Sequence, residues 1–278
     1  MKYTFLIAAA LITIGMATTT SCKKSDIDDF ETTFELSGNQ AISDNLTEDA
    51  RSVLDEAAVS VNLMGSRPTE VAQTTNILSC ATVTVTPGAF PKTITIDFGT
   101  TGCTSPNGVF RKGKINVVIS DSIRRTGSTA VMTFDSYYVN LYKIEGSITW
   151  TNTTTPGSFS WTRKVENGKV TSPDGRYWLH NGLKSVVQTS GSSTPLNLLD
   201  DVYSITGNHT VTNAAGASRT ATVLEALQKK TICENIDKGK MKIEGGSHTA
   251  VIDFGDGTCD RVATISIDGR APRTILLR

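Results

Sequence analysis

The chain has 278 residues, with 27 basic and 27 acidic side chains, and 6% of its residues are aromatic. This balance excludes the strongly basic surface that nucleic-acid-binding proteins use, so we expect no nucleic-acid partner. Five cysteines suffice for two disulfides and leave one residue for another role.

The amino terminus has the pattern of a secretory signal. Lys2 is followed by an apolar run from Phe5 to Met16 and by small residues up to Ser21. An apolar core of about a dozen residues is too short to span a bilayer as a mature helix. We therefore predict that residues 1–21 are a signal peptide, removed on export.

Cys22 follows this segment directly and is the candidate lipidation site. The stretch from Thr19 to Cys22 resembles the lipobox of bacterial lipoproteins, with Thr19 where leucine is usual. Ordinary cleavage, which leaves Cys22 as a spare thiol, is the alternative. The odd number of cysteines favours lipidation, because Cys22 is the cysteine with a use outside a disulfide.

Three segments follow the signal. Residues 22–44 are polar and acidic and are predicted to form a lipidated tether, and residues 45–70 a helix and linker. Asn45 and Glu48 are placed as a capping box, and apolar residues follow at helical spacing. These are Leu46, Ala50, Val53, Leu54 and Ala57. Residues 71–278 form the predicted ectodomain.

The ectodomain has the pattern of an antiparallel all-β domain. From Thr74 onward, alternation replaces helical spacing, and turn dipeptides such as Asn107-Gly108 recur. We expect a meander or a sandwich with internal repeats. A second short helix is predicted at Val223–Lys230, where no β-branched residue follows the first position.

An Asp-Phe-Gly-x-x-x-Cys unit occurs twice, beginning at Asp97 and at Asp253. In each copy the aspartate is expected to bind amides of the following turn, and the phenylalanine to enter the core. Each unit has a further cysteine upstream, which predicts strand, turn and strand between two cysteines. Four cysteines allow three pairings, and the repeat favours Cys80 with Cys103 and Cys233 with Cys259.

A second duplication relates Tyr142–Asn152 to Tyr203–Asn213 at a constant offset of 61. Alternation places Ile148 and Trp150 on one face of a strand. His209 corresponds to Ile148, so we interpret it as a packed histidine. The central region is therefore predicted to be a series of similar hairpins.

No pattern in the sequence indicates a catalytic site. The three histidines lie in separate segments, and no nucleophile elbow occurs. Asp200 and Asp201 are adjacent, so they point to opposite strand faces or lie in a turn, and they make a poor acid–base pair. Hydrolase activity is the least favoured function, and we expect no enzyme activity.

Metal and cofactor signals are also weak. Asp253, Asp256 and Asp260 loosely suggest a calcium loop, but their spacing departs from the EF-hand pattern. We therefore expect neither a metal nor a cofactor. Ser122, in Asp121-Ser122-Ile123, resembles the short sequon for O-glycosylation of exported Bacteroidota proteins, with an ordinary turn serine as the alternative.

Aromatic residues cluster in one segment that contains Trp150, Trp161, Tyr177 and Trp178. Exposed aromatic rings in a β domain can stack on sugars, so these four are candidate ligand-binding residues. Packing in the core is the favoured alternative for the tryptophans. Tyr177 and Trp178 are neighbours on opposite strand faces, so one of the two is expected to be exposed.

The lysines after Cys22, the β-rich ectodomain and the Asp-Phe-Gly-x-x-x-Cys units resemble uncharacterised outer-membrane lipoproteins of the Bacteroidota type. The resemblance implies a lipid anchor in the outer membrane, facing either the cell surface or the periplasm. We expect a non-catalytic domain that binds a glycan or an envelope protein. A periplasmic carrier or assembly factor for an apolar molecule is the alternative.

Overall fold

A single long helix, α1 (Ser21–Ser60), begins the part of the chain that the structure describes. The computed structural model describes residues 21–65 and 71–277, with side chains from Ser25 onward. The predicted signal peptide (residues 1–20 of it) and the Cys22 side chain lie outside the described residues. The helix was predicted to be short, but it has 40 residues.

The prediction of a tether over residues 22–44 is wrong for the second half of that segment. Buried positions begin at Thr33, and all nine residues from 43 to 51 are buried, so the helix is enclosed on every side. The predicted capping box is wrong as well, because Asn45 lies in the middle of α1. Its side-chain oxygen accepts a hydrogen bond from the backbone N–H of Ile236 at 2.7 Å.

Within the described residues, fourteen strands follow the helix and form one antiparallel sheet. They are β1 (Thr82–Val85), β2 (Lys92–Asp97), β3 (Cys103–Thr104), β4 (Phe110–Ile119), β5 (Thr129–Val139), β6 (Tyr142–Asn152), β7 (Phe159–Thr171), β8 (Tyr177–Ser190), β9 (Val202–Asn213), β10 (Ser218–Lys230), β11 (Lys238–Glu244), β12 (Ala250–Asp256), β13 (Val262–Ile267) and β14 (Arg273–Leu276). Strands that follow one another in the chain are neighbours in the sheet, with one exception. β2 pairs with β4, and the two-residue strand β3 pairs with β4 outside the main strand order. The all-β meander predicted from the sequence is confirmed.

Bulges bend this sheet around α1. Register shifts occur in eight of the strand pairs, from β4–β5 through β11–β12. Gly146 lies at one shift with φ of 103°, and a Cβ there would lie 2.5 Å from the carbonyl oxygen of Asn167. Bulges increase local twist and curvature, so the sheet can wrap the helix with its concave face.

Both predicted repeats occur as strands. In each Asp-Phe-Gly unit the aspartate accepts a hydrogen bond from the glycine N–H, at 2.8 Å for Asp97 and 2.9 Å for Asp253. Phe98 and Phe254 are buried. The disulfides Cys80–Cys103 and Cys233–Cys259 have Cα–Cα distances of 6.1 and 5.1 Å, which confirms the predicted pairing. The second duplication matches β6 and β9.

The helix predicted at Val223–Lys230 is wrong, because this segment lies in β10. Leu227 and Lys229 are buried and alternate with the less buried Gln228, as a strand between β9 and β11 requires. Pairing on both sides therefore overrides the local helix propensity of the segment.

Ion pairs join the helix to the concave face of the sheet. Arg111 of β4 donates to both carboxylate oxygens of Asp49, at 2.6 and 3.1 Å. Arg219 of β10 pairs with Asp29 near the start of the helix. Both arginine side chains are almost completely buried. Each of these two arginines therefore has a carboxylate of α1 as its partner.

The most deeply buried of these contacts form a cluster. Lys184 of β8 pairs with Asp44, and Arg163 of β7 pairs with Glu48, all at 3% exposure or less. Burial raises the pKa of Asp44, but the nearby cations, Lys184 first, lower it to about 2. Burial lowers the pKa of Lys184 to about 8 against the opposing effect of Asp44. Both groups are therefore charged at neutral pH.

Replacing Lys184→Met should destabilise the protein strongly, because it leaves the Asp44 carboxylate buried without its nearest cation. Removing one partner of a buried pair costs about 3 kcal/mol. Lys164→Met on β7 is the matched control, since Lys164 pairs with Glu166 on the exposed face, where the loss is at most about 1 kcal/mol. Urea unfolding measures both, and equal losses for the two variants would contradict this account.

Candidate functional site

A cleft lies between the C-terminal part of α1 and the ends of strands β5 to β9. The lining residues come from the helix, the strands and their connections. They are Arg51, Leu54, Asp55, Met64, Ile123, Arg124, Ser128, Thr129, Ala130, Trp150, Asn152, Phe159, Trp161, Gln188, Asp201 and Tyr203. Strand alternation points Trp150 of β6 and Trp161 of β7 inward, which is why two separate segments meet here.

Aromatic rings form one wall of the cleft. Trp150, Trp161 and Tyr203 are each at most 6% exposed. The rings of Trp161 and Tyr203 meet edge to face, with centroids 5.4 Å apart. The indole nitrogens of Trp150 and Trp161 are buried, and neither has a hydrogen-bond partner among the described residues. Unpartnered buried donors are rare because each costs about 1–3 kcal/mol.

Two arginines cover faces of these aromatic residues. The guanidinium of Arg51 lies 4.1 Å from the ring centre of Trp161, and its Nε donates to Asp55 at 2.7 Å. The guanidinium of Arg124 lies 3.7 Å from the ring centre of Phe159. Arg124 also donates to the carbonyl oxygen of Ser192 at 2.6 Å, so it bridges the start of β7 and the loop after β8.

Asp201 supplies a buried carboxyl group. Gln188 donates to one of its oxygens and the Tyr203 hydroxyl to the other, each at 2.7 Å. Burial raises the pKa of Asp201 to about 7, although the hydrogen bond from Tyr203 acts in the opposite direction. This carboxyl group therefore changes its charge near neutral pH.

The free space inside the cleft is about 20 Å³. A cavity of this size holds one or two water molecules. A whole sugar ring does not fit between the walls in this conformation. The cleft therefore receives the small polar end of a ligand and not its ring.

The four aromatic candidates from the sequence are not all at this site. Trp150 and Trp161 line the cleft, but Trp178 is buried elsewhere and donates to the Ser43 hydroxyl at 2.7 Å. Tyr177 is exposed on the outer face, where Lys169 lies over its ring at 4.9 Å. Because all three indoles are buried, flat stacking of a sugar on them is excluded in this conformation.

Sequence reasoning missed most of the polar groups of the cleft. The spacing of Arg51 and Asp55 is that of a helical ion pair, but such pairs are usually exposed. Asp201 was recognised only as a poor partner for Asp200. Asp200 lies in a 3-10 turn (Leu198–Asp200), so the prediction of a turn is confirmed for it, and Asp201 directly follows. No local pattern in the sequence indicated that Gln188 would donate a hydrogen bond to Asp201.

The remaining candidates serve local structure. His209 is buried beside the Lys184 cluster, as its repeat position predicts, and burial lowers its pKa well below the ordinary value. His248 binds Asp268 at 2.6 Å. Ser122 is half-buried in the connection between β4 and β5.

The carboxylates of the suggested calcium loop each bind amides of their own turns. Asp256 accepts from Thr258, and Asp260 accepts from Val262. Among the described residues, one group of possible metal ligands lies close together, namely Cys233, Asp237 and Cys259. Its two cysteines form a disulfide, so they offer no thiolates.

Comparisons of the chain with protein-family models, curated proteins and solved structures found no match. In the described part of the chain, no helix has the length and apolar character needed to cross a membrane.

We expect Asp201→Asn to flatten the dependence of stability on pH. Asp201 has a raised pKa in the folded protein, so between pH 3.8 and about 7 the folded state holds a proton that the unfolded chain has lost. Its contribution to stability is complete below this window and is lost as the pH rises through 7. Melting temperatures from pH 4 to 8 measure the slope.

The exposed neighbour provides the control for this experiment. Asp200→Asn removes one carboxylate from the same turn and should retain most of the slope. An unchanged slope in the Asp201→Asn variant would show that this carboxyl group is not the titrating group.

Proposed function

We propose that this chain is an exported, lipid-anchored protein of the outer membrane that binds a ligand without catalysis. The cleft of Trp150 and Trp161 is the proposed binding site. The observation that carries this proposal is the pair of buried indole donors without partners. Such donors are stabilised when a ligand supplies acceptors, and this gain favours binding.

Several features support export and anchoring. The segment before Cys22 has the pattern of a signal peptide, and the two disulfides suit an oxidising compartment. Acyl chains on Cys22 would provide a stable membrane anchor. The outward and the periplasmic orientations of the domain are both compatible with these features.

The position of Cys22 in the first turn of α1 gives the proposed anchor a definite geometry. Eleven residues separate Cys22 from Thr33, the first buried position, which is about 16 Å of helix. Arg51 in the cleft lies 29 residues from Cys22, roughly 43 Å along the axis. The helix would therefore hold the cleft at the end of the domain that is distant from the bilayer.

The carrier alternative has less support. An apolar cargo on the concave face would have to replace α1, whose buried carboxylates pair with Arg111, Arg163 and Lys184. Losing the helix would leave these cations buried without partners, at several kcal/mol each. A ligand at the cleft requires no such exchange.

We expect Cys22→Ala to release the protein from the membrane fraction, because the thiol that carries the acyl chains is lost. Ser25→Ala, three residues away, should remain in that fraction. Fractionation and intact-mass measurement test this, and membrane retention of the Cys22→Ala variant would contradict the anchor. Protease treatment of intact and lysed cells then distinguishes the outward from the periplasmic orientation.

Native mass spectrometry of protein purified from the cell envelope tests binding at the cleft. The wild type should carry a small polar molecule that Ala130→Leu excludes, since Ala130 lines the cleft and the larger side chain fills it. Thr133→Leu places a leucine on the exposed face of the same strand and should retain the molecule.

The other outcomes of this measurement are equally informative. A lipid adduct that persists in the Ala130→Leu variant would support the carrier alternative. A wild-type protein without any adduct would contradict ligand capture in the envelope. Thermal unfolding of each variant establishes that it is folded.

A further inference from the structure

Hydrogen-bond donors outnumber free acceptors in the cleft. The indole nitrogens of Trp150 and Trp161 have no partner among the described residues, and the guanidiniums of Arg51 and Arg124 lie against the same space. Both oxygens of Asp201 already accept hydrogen bonds. A ligand group that contacts the two indoles must therefore accept hydrogen bonds from them.

The charges in the cleft favour the same kind of group. The charge of Arg51 is matched by Asp55, to which it donates at 2.7 Å. Arg124 instead donates to a backbone carbonyl, and Asp201 and Asp55, which act on its charge from further away, form no ion pair with it in the described chain. The guanidiniums of Arg51 and Arg124 already lie against Trp161 and Phe159, so a cationic ligand would be repelled by two resident cations.

One acceptor remains free in the cleft. The Oδ1 atom of Asp55 is buried and has no hydrogen-bond partner among the described residues. A hydroxyl group adjacent to an anionic group of the ligand would satisfy it. The small interior admits the polar end of a ligand, while the body of the ligand remains outside.

We propose that the cleft binds the carboxylate end of a hydroxylated acid, such as an acidic sugar. The carboxylate accepts hydrogen bonds from the two indoles and pairs with Arg124, and a neighbouring hydroxyl donates to Asp55. This inference rests on the proposed binding function and specifies its ligand class.

Amide-correlation NMR with glucuronate as the probe tests this directly, because three tryptophans give three indole signals. The signals of Trp150 and Trp161 should shift on titration, while Trp178, already bonded to Ser43, stays unchanged as an internal control. Trp→Phe variants assign the signals. Glucose, which has the same ring without the carboxylate, should leave all three signals unchanged.

Arg124→Gln should weaken glucuronate binding at least tenfold, because it removes the unpaired charge. Arg125→Gln is the matched control, since Arg125 is exposed and pairs with Asp121 away from the cleft. Propionate distinguishes the source of recognition. Binding of propionate at the same signals would show that a carboxylate alone suffices, whereas weaker binding would show the contribution of the hydroxyl groups.

Two results would overturn this inference. Equal shifts with glucose and glucuronate would show that the cleft binds sugars without regard to charge, so the proposed binding function would survive and its acidic ligand class would not. If neither glucuronate nor propionate shifted the indole signals, hydroxylated acids would be rejected as the ligand class. Native mass spectrometry would then test separately whether the cleft binds any ligand.

Discussion

The fold depends on an acidic helix that lies inside a sheet with a basic concave face. α1 carries ten acidic and three basic residues. Its carboxylates meet Arg111, Arg163 and Lys184, whose side chains are at most 1% exposed. Without the helix these cations would lose their carboxylate partners, and breaking such buried pairs costs several kcal/mol each. The sheet therefore requires the helix, and the helix, too polar to be buried against an apolar surface, requires this sheet.

This mutual requirement explains where the cleft lies. Bulges curve the strands enough to enclose α1, and the cleft forms at the end where Arg51 and Asp55 face the ends of β5 to β9. The groups that would contact a ligand are thus supported by both layers of the molecule. If Cys22 carries the lipid, the same helix also joins the cleft to the membrane, because the anchor and Arg51 belong to one continuous helix.

Local patterns in the sequence predicted the sheet and the C-terminal part of the helix, but not the N-terminal half of the helix or its burial. Alternation, turn dipeptides and repeats act over a few residues, so the meander and both disulfides could be predicted. The burial of Asp44 and Asp49 had no such signal, because their partners Lys184 and Arg111 are 140 and 62 residues away. The sequence predicted the aromatic part of the cleft but not its charged part. Strand alternation pointed Trp150 and Trp161 inward, but the meeting of Arg51, Arg124 and Asp201 with them depends on the curvature of the whole sheet.

Native-state hydrogen exchange tests most directly whether helix and sheet form one cooperative unit. The account predicts that amides of residues 43–59 in α1 exchange only through global unfolding, with the same free energy as the central strands β7 and β8. This account would be contradicted if the helix amides exchanged through a local opening of lower free energy while the amides of β7 and β8 stayed protected. The sheet would then be stable without the helix, and the buried cations would need another explanation.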